Sequence, residues 1–230
     1  MQNLTDPSPD ARPGQDDRAL DRRPIKTRSA RLVQTLALVL TRLGVSPNQV
    51  SVLSVVSASI GAALLVWEAL GARTPWPLVG TAACIQLRLL ANLVDGLIAV
   101  EGGRQTKIGE LFNEFPDRIA DVLLLAAAGY AAHHGEFGVA IGWIAAVLAV
   151  GTAYIRAFGA RRGYPQDFCG PQAKQQRMFL LTLACLLGAG EKSLQMPPQS
   201  IFAFLIIIGL GTLITCVRRT IRLARQLKVT

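Results

Sequence analysis

Six apolar runs, most of them near the roughly 20 residues needed to cross a hydrocarbon core, set the tightest limit on what this chain can fold into. They are read at about 49 to 70, 77 to 100, 110 to 132, 137 to 158, 178 to 190 and 199 to 217, the fifth being short. Composition agrees: 51% of the 230 residues are hydrophobic and 17% charged, with a mean hydropathy of +0.37, values that argue against a water-soluble domain. The expected architecture is all-α, a polytopic membrane protein with six transmembrane helices.

Six crossings leave both termini on one side, and basic residues prefer cytoplasmic segments. The N-terminal region to Asn48 holds eight of the 24 Lys and Arg residues, the second connection two (Arg104, Lys107), the fourth five (Arg156, Arg161, Arg162, Lys174, Arg177) and the C-terminal tail five. The first and fifth connections hold only Arg73 and Lys192. This predicts a multi-pass protein of the inner (cytoplasmic) membrane with both termini cytoplasmic. The net charge of +9 then follows from topology and attraction to anionic lipid head groups, and nucleic acid is not expected as a partner. Cys84, Cys169, Cys185 and Cys216 are scattered, with no disulfide framework or thiolate metal spacing.

Residues 1–24 are polar, Pro-rich and mixed in charge, which predicts a disordered cytoplasmic tail before a membrane domain over 25–230. Residues 28–43 combine a basic start with Leu32, Leu36, Val39, Leu40 and Leu43 at helical spacing, the pattern of an interfacial amphipathic helix. The stretch GVSPNQVS then turns the chain, with Ser46 or Asn48 available to cap the first crossing. The short connection EGGRQTK predicts a tight antiparallel hairpin of crossings two and three.

That hairpin, residues 92–121, carries most of the intramembrane polarity. Charges within spanning segments cost about 2.5 to 3.5 kcal/mol each near the centre, so a cluster of them marks a functional site. Counted from the hairpin turn, Asp95 and Asn113 lie at similar depth, and Asn92 and Asp117 lie together roughly 12 Å in, at 1.5 Å per residue. Glu110, Asn113, Glu114, Asp117 and Asp121 share a stripe of roughly 100° on the third helix. Oxygen donors of this kind suit hard cations, Mg²⁺ or Mn²⁺. Gly96 and Ala99, on the side of Asn92, leave room for a substrate or a close helix. Arg88 and Asp121, each twelve residues inside its helix, are expected to pair.

The spacing resembles the CDP-alcohol phosphotransferase signature D-x2-D-G-x2-A-R-x8-G-x3-D-x3-D. Asp95, Gly96, Ala99, Gly109 and Asp117 match in type, whereas Asn92, Val100 and Asn113 stand where the family has Asp, Arg and Asp. GVSPNQVS and YIRAFGARRG are similar to the same family. The resemblance implies a transfer in which an alcohol attacks the lipid-side phosphorus of a CDP-lipid such as CDP-diacylglycerol and CMP leaves. It implies metal ligands at Asn92, Asp95 and Asn113, a general base at Asp117, and a homodimer in the bilayer. The four signature positions supply two negative charges in place of four, so Glu110 and Glu114, with Asp117, are candidates to complete the ligand set. Arg104, in the following loop, is a candidate to replace the arginine missing at Val100. Arg156, Arg161 and Arg162 lie where the family holds a phosphorylated acceptor, favouring glycerol 3-phosphate or an inositol phosphate, although positive-inside topology alone also explains them. Two rivals stand beside this reading: a family member without catalysis that binds lipid or a partner, and a solute transporter built around the acidic hairpin. His133 and His134, in an outer turn, are not expected to ligate, and Trp67, Trp76 and Trp143 fit interfacial or lipid-facing positions.

Overall fold

The computed structural model describes residues 35, 38–40, 46–101, 107–165 and 168–229. Six helices follow one another: α1 (Pro47–Ala69), α2 (Trp76–Glu101), α3 (Lys107–Ala131), α4 (Gly135–Arg161), α5 (Lys174–Ser193) and α6 (Gln199–Val229). Each contains one of the six apolar runs. The N-terminal tail 1–24, most of the interfacial segment 28–43 and Arg104 lie outside the described residues. Thr35, Leu38, Val39 and Leu40 are helical, and Leu40 packs on a cluster formed by Val50 of α1 with Ala91, Val94, Leu97 and Ile98 of α2.

Among the described residues four helical stretches are long and apolar enough to cross a membrane, namely Asn48–Ala69, Trp76–Asp95, Gly135–Arg161 and Gln199–Lys228. The other two helices, α3 and α5, are interrupted by charge, including the buried Asp121 and Arg177. They tolerate it because their polar faces meet other helices and each other's counter-charges. The short fifth run is short for the same reason: Lys174 and Arg177 interrupt the apolar pattern, yet the helix starts at Lys174 and buries Arg177. At the other end, α6 continues well beyond its apolar run, so the basic tail is helical as far as Val229.

The helices close into a ring. α1 packs on α2 and α3, α2 on α5, α5 on α6, α6 on α4, and α4 on α3. One apolar core draws on all six, including Leu65, Ile85, Leu124, Ala146, Leu181 and Leu205. The turn of the hairpin expected of crossings two and three lies outside the described residues. Among the described residues α2 and α3 both pack on α1, and long side chains join them to each other.

Local devices fix the elements. Ser46 caps α1: its Oγ accepts from the Gln49 N–H at 3.3 Å while Gln49 Oε1 accepts from the Ser46 N–H at 2.9 Å, with Pro47 in the first turn. The outer half of α3 meets α4 through glycine. A Cβ on Gly142 would lie 2.7 Å from Gly129 Cα and 2.8 Å from the Leu125 carbonyl oxygen, so the two backbones touch there. At the end of the bundle where α3 joins α4, the buried Glu68 of α1 pairs through Oε1 with Lys192 of α5, and His133 Nε2 lies 3.6 Å from the same oxygen. His134 stacks on Phe202 at 3.6 Å. On the opposite end the loop before α5 is pinned to α6, where the Gln172 N–H donates to Thr215 Oγ1 at 3.0 Å and Arg219 Nε donates to the Cys169 carbonyl at 2.9 Å.

Candidate active site between α2, α3 and α5

Asp117 sits where the helices converge. It follows Pro116, which has no N–H to give to the carbonyl of residue 112 and loosens the helix at that turn. Its carboxylate is held from both sides: Oδ1 accepts from Asn92 Nδ2 at 2.8 Å, and Oδ2 pairs with the Lys174 ammonium at the start of α5. Arg88 Nη2 donates to the Asp117 backbone carbonyl at 3.1 Å and lies 3.7 Å from Oδ1. The facing of Asn92 and Asp117 follows from their equal distance from the hairpin turn. The lysine is an addition from α5 that neither hairpin strand of sequence contains.

One turn deeper, Asp121 is enclosed. Arg88, with no solvent exposure, pairs with Asp121 Oδ1 at 2.6 Å, and Arg177 pairs with Oδ2 at 2.8 Å. Arg177 Nη1 donates to the Gln172 carbonyl at 2.9 Å, and Arg88 Nη1 to Met178 Sδ at 2.9 Å. The expected Arg88–Asp121 pair is present, and a second guanidinium completes it. Lys174 and Arg177 lie three residues apart on one face of α5, so a single helix delivers one cation to each aspartate. That i, i+3 spacing was visible in the sequence; what it faced was not.

Towards the hairpin turn, the Glu114 carboxylate meets two cations, Arg118 one turn later and Arg156 of α4, the latter at 2.6 Å. Arg156 also lies over the Phe168 ring, 5.6 Å from its centroid. Asp95 is buried, and its Oδ2 accepts from the Ser51 hydroxyl of α1 at 2.8 Å. Ser51 escaped sequence reasoning because a lone serine on an apolar helix carries no signal by itself. Arg161 and Arg162 are exposed at the end of α4, with Arg162 over the Phe158 ring. A groove lined by Arg156, Gly159, Tyr164, Pro165 and Arg219 opens beside them. The side-chain surroundings of Gly96, Ala99, Gly109, Glu110 and Asn113 lie outside the described residues, as does Arg104.

The chemistry of this set is that of anion handling. Among the described side chains, the acids Glu114, Asp117 and Asp121 are each met by cations, drawn from Arg88, Arg118, Arg156, Lys174 and Arg177. Arg88 and Arg177 are buried on Asp121, whereas the partly exposed Arg156 and Lys174 can also reach phosphate oxygens. Among the described residues no three His, Cys, Asp or Glu side chains converge as a metal site. Asp95 and Asn92 lie one turn apart on α2 and are oxygen-bearing side chains of the kind hard cations take.

Comparison with known proteins gives the family. The family model for CDP-alcohol phosphatidyltransferase matches residues 44–221. The chain is 28% identical over 201 residues to a phosphatidylinositol phosphate synthase of Streptomyces avermitilis, covering 85% of this chain and 79% of that one. Crystal structures of the Mycobacterium tuberculosis phosphatidylinositol phosphate synthase share the fold. The complex with manganese and citrate gives a TM-score of 0.70 at 22% identity, covering 83% of this chain and 88% of that one. The form with CDP-DAG bound gives 0.70 at 23%, covering 84% and 94%. The family match spans the whole polar hairpin and is to a transferase family, which removes the ground for a transporter. The chain belongs to the CDP-alcohol phosphatidyltransferase family of membrane transferases.

Proposed function

We propose that this protein transfers a phosphatidyl group from CDP-diacylglycerol, or a similar CDP-lipid, to a phosphorylated polyol, with an inositol phosphate as the first candidate and glycerol 3-phosphate as the second. The observation that carries the reading is the Asn92–Asp117 contact at 2.8 Å, which joins the first and last signature positions across α2 and α3 inside a family match. Asp117 acts as the base. The acceptor hydroxyl oxygen forms a bond to the lipid-side phosphorus, the bond from that phosphorus to the bridging oxygen breaks, CMP departs with that oxygen, and the hydroxyl proton passes to Asp117. A carboxylate has lone pairs beyond those used by Asn92 and Lys174, so it can still accept that proton.

Asp95, with the amide oxygens of Asn92 and Asn113, would hold Mg²⁺ or Mn²⁺, and the cation would supply charge neutralisation at the pyrophosphate. Glu110 is the carboxylate best able to add a charge to that set. Glu114 acts through Arg156, which it orients towards the acceptor side. Gly96, Ala99 and Gly109 keep the space between the helices open, and Arg104 serves the pyrophosphate. Arg156, Arg161 and Arg162 bind the acceptor phosphate, a class of ligand supported by the named function of the Streptomyces relative. All six helices cross the inner membrane with both termini cytoplasmic, and the working unit is a homodimer.

The test is CMP release by purified protein in lipid nanodiscs given CDP-diacylglycerol, Mg²⁺ or Mn²⁺, and inositol phosphate, glycerol 3-phosphate or serine in turn. Turnover is expected with a phosphorylated acceptor and is expected to fall about 10²- to 10⁴-fold in Asp117→Asn. A second reading, a family member that binds CDP-lipid without turning it over, is favoured by the neutral Asn92 and Asn113 and by the lysine already seated on Asp117. No CMP with any acceptor, together with retained CDP-lipid binding, selects it.

A further inference from the structure

We infer that Lys174 is a built-in cation that takes the place of one divalent ion, so that the site works with one bound metal and one ammonium group. This rests on the phosphotransferase reading and deepens it. The reasoning starts at Asp117. Its Oδ1 is 2.8 Å from Asn92 Nδ2, and its Oδ2 pairs with Lys174. Were residue 92 an aspartate, two carboxylate oxygens would face each other at that distance, an arrangement that requires a cation or a proton between them. The asparagine removes the requirement, because an amide N–H can meet the carboxylate directly. The positive charge that Asp117 needs arrives from the other side, covalently attached to α5.

The lysine is positioned for the part. It opens α5, and three residues later Arg177 is locked to Asp121 at 2.8 Å and to the Gln172 carbonyl at 2.9 Å, which fixes the rotation of the helix. The preceding loop is tied to α6 through Gln172 and Thr215. Its side chain is 28% exposed and Asp117's 21%, so a ligand can still reach both groups. From there the ammonium would supply positive charge to a phosphate, and Asp95 would hold the one divalent cation. Three donors on one nitrogen let it bridge carboxylate and phosphate together.

The experiment counts metal. Full-length protein in nanodiscs containing CDP-diacylglycerol is titrated with Mn²⁺ and free Mn²⁺ followed by electron paramagnetic resonance, without acceptor, so that the count is independent of turnover. The wild type is expected to bind one Mn²⁺ per chain, and the double variant Asn92→Asp, Lys174→Met is expected to bind two. Lys174→Arg is expected to keep CMP release within about tenfold, and Lys174→Met to lose about 10²-fold while still binding one Mn²⁺. Thermal unfolding confirms that each variant is folded; for a misfolded double variant, Asn92→Asp alone is titrated, with a second weak Mn²⁺ expected. Two Mn²⁺ in the wild type, none in the wild type, or a count that stays at one in a folded Asn92→Asp, Lys174→Met variant would overturn the inference. Absence of CMP release by the wild type with any acceptor, at a count of one, overturns the catalytic reading and leaves the metal inference standing.

Discussion

The two halves of α3 are built on opposite rules. From Glu114 to Asp121 the helix carries charge, and each carboxylate reaches a cation on another element: Arg156 of α4, Lys174 of α5, then Arg88 and Arg177 together. From Val122 to Ala131 it is apolar and small, and at Gly129 it lies so close to Gly138 and Gly142 of α4 that a single added carbon has no room. The first half tolerates distance because long side chains span it. The second tolerates none because nothing but backbone separates the helices. A helix in lipid can be held by either means, since apolar burial alone gives little preference for a neighbouring helix over a lipid tail. Only the first means also builds a reactive site.

This contrast can be broken from either side. Asp121→Asn, which keeps shape and removes charge, is expected to destabilise the fold by about 3 to 5 kcal/mol, because Arg88 and Arg177 are left buried without their counter-charge. Unfolding in mixed detergent micelles measures it, and a loss below about 1 kcal/mol would mean the network is not holding the inner half. Gly142→Leu, which keeps charge and adds bulk, is expected to lose about 1 to 3 kcal/mol or to separate α3 from α4. A variant with unchanged stability would show that the close approach is not needed. Ser46→Ala removes the α1 cap and should lose about 1 kcal/mol in the same assay. The smallest stability change is expected for Glu114→Gln, at most about 1 kcal/mol, since its ion pairs are partly exposed and screened. The same variant should nevertheless weaken apparent affinity for the phosphorylated acceptor, visible as a raised KM with little change in kcat, because Arg156 loses its orienting partner.

The sequence was most informative where periodicity and depth decide the outcome. Six apolar runs became six helices, Arg88 met Asp121, and Asn92 met Asp117, because equal distance from a turn gives equal depth on antiparallel helices. It failed where a partner comes from far along the chain. Lys174 and Arg177 read as a basic patch explained by topology, yet they are the counter-ions of the acidic stripe. Ser51 and Glu68 gave no pattern at all, and Glu68 found Lys192 across 124 residues of sequence.

What the sequence by itself determined, then, is the membrane-embedded helical class, the depth of each polar group and the family signature with its two asparagines. Those are one-dimensional properties, set by apolar length, helical rise and spacing. What only the tertiary structure decided is which charges neutralise which: α2 and α3 both pack on α1, and α5 brings its lysine and arginine up to both of the aspartates. Ion pairing falls steeply with distance in a medium of low polarity, so the chemistry of the site depends on a helix order that no local pattern records.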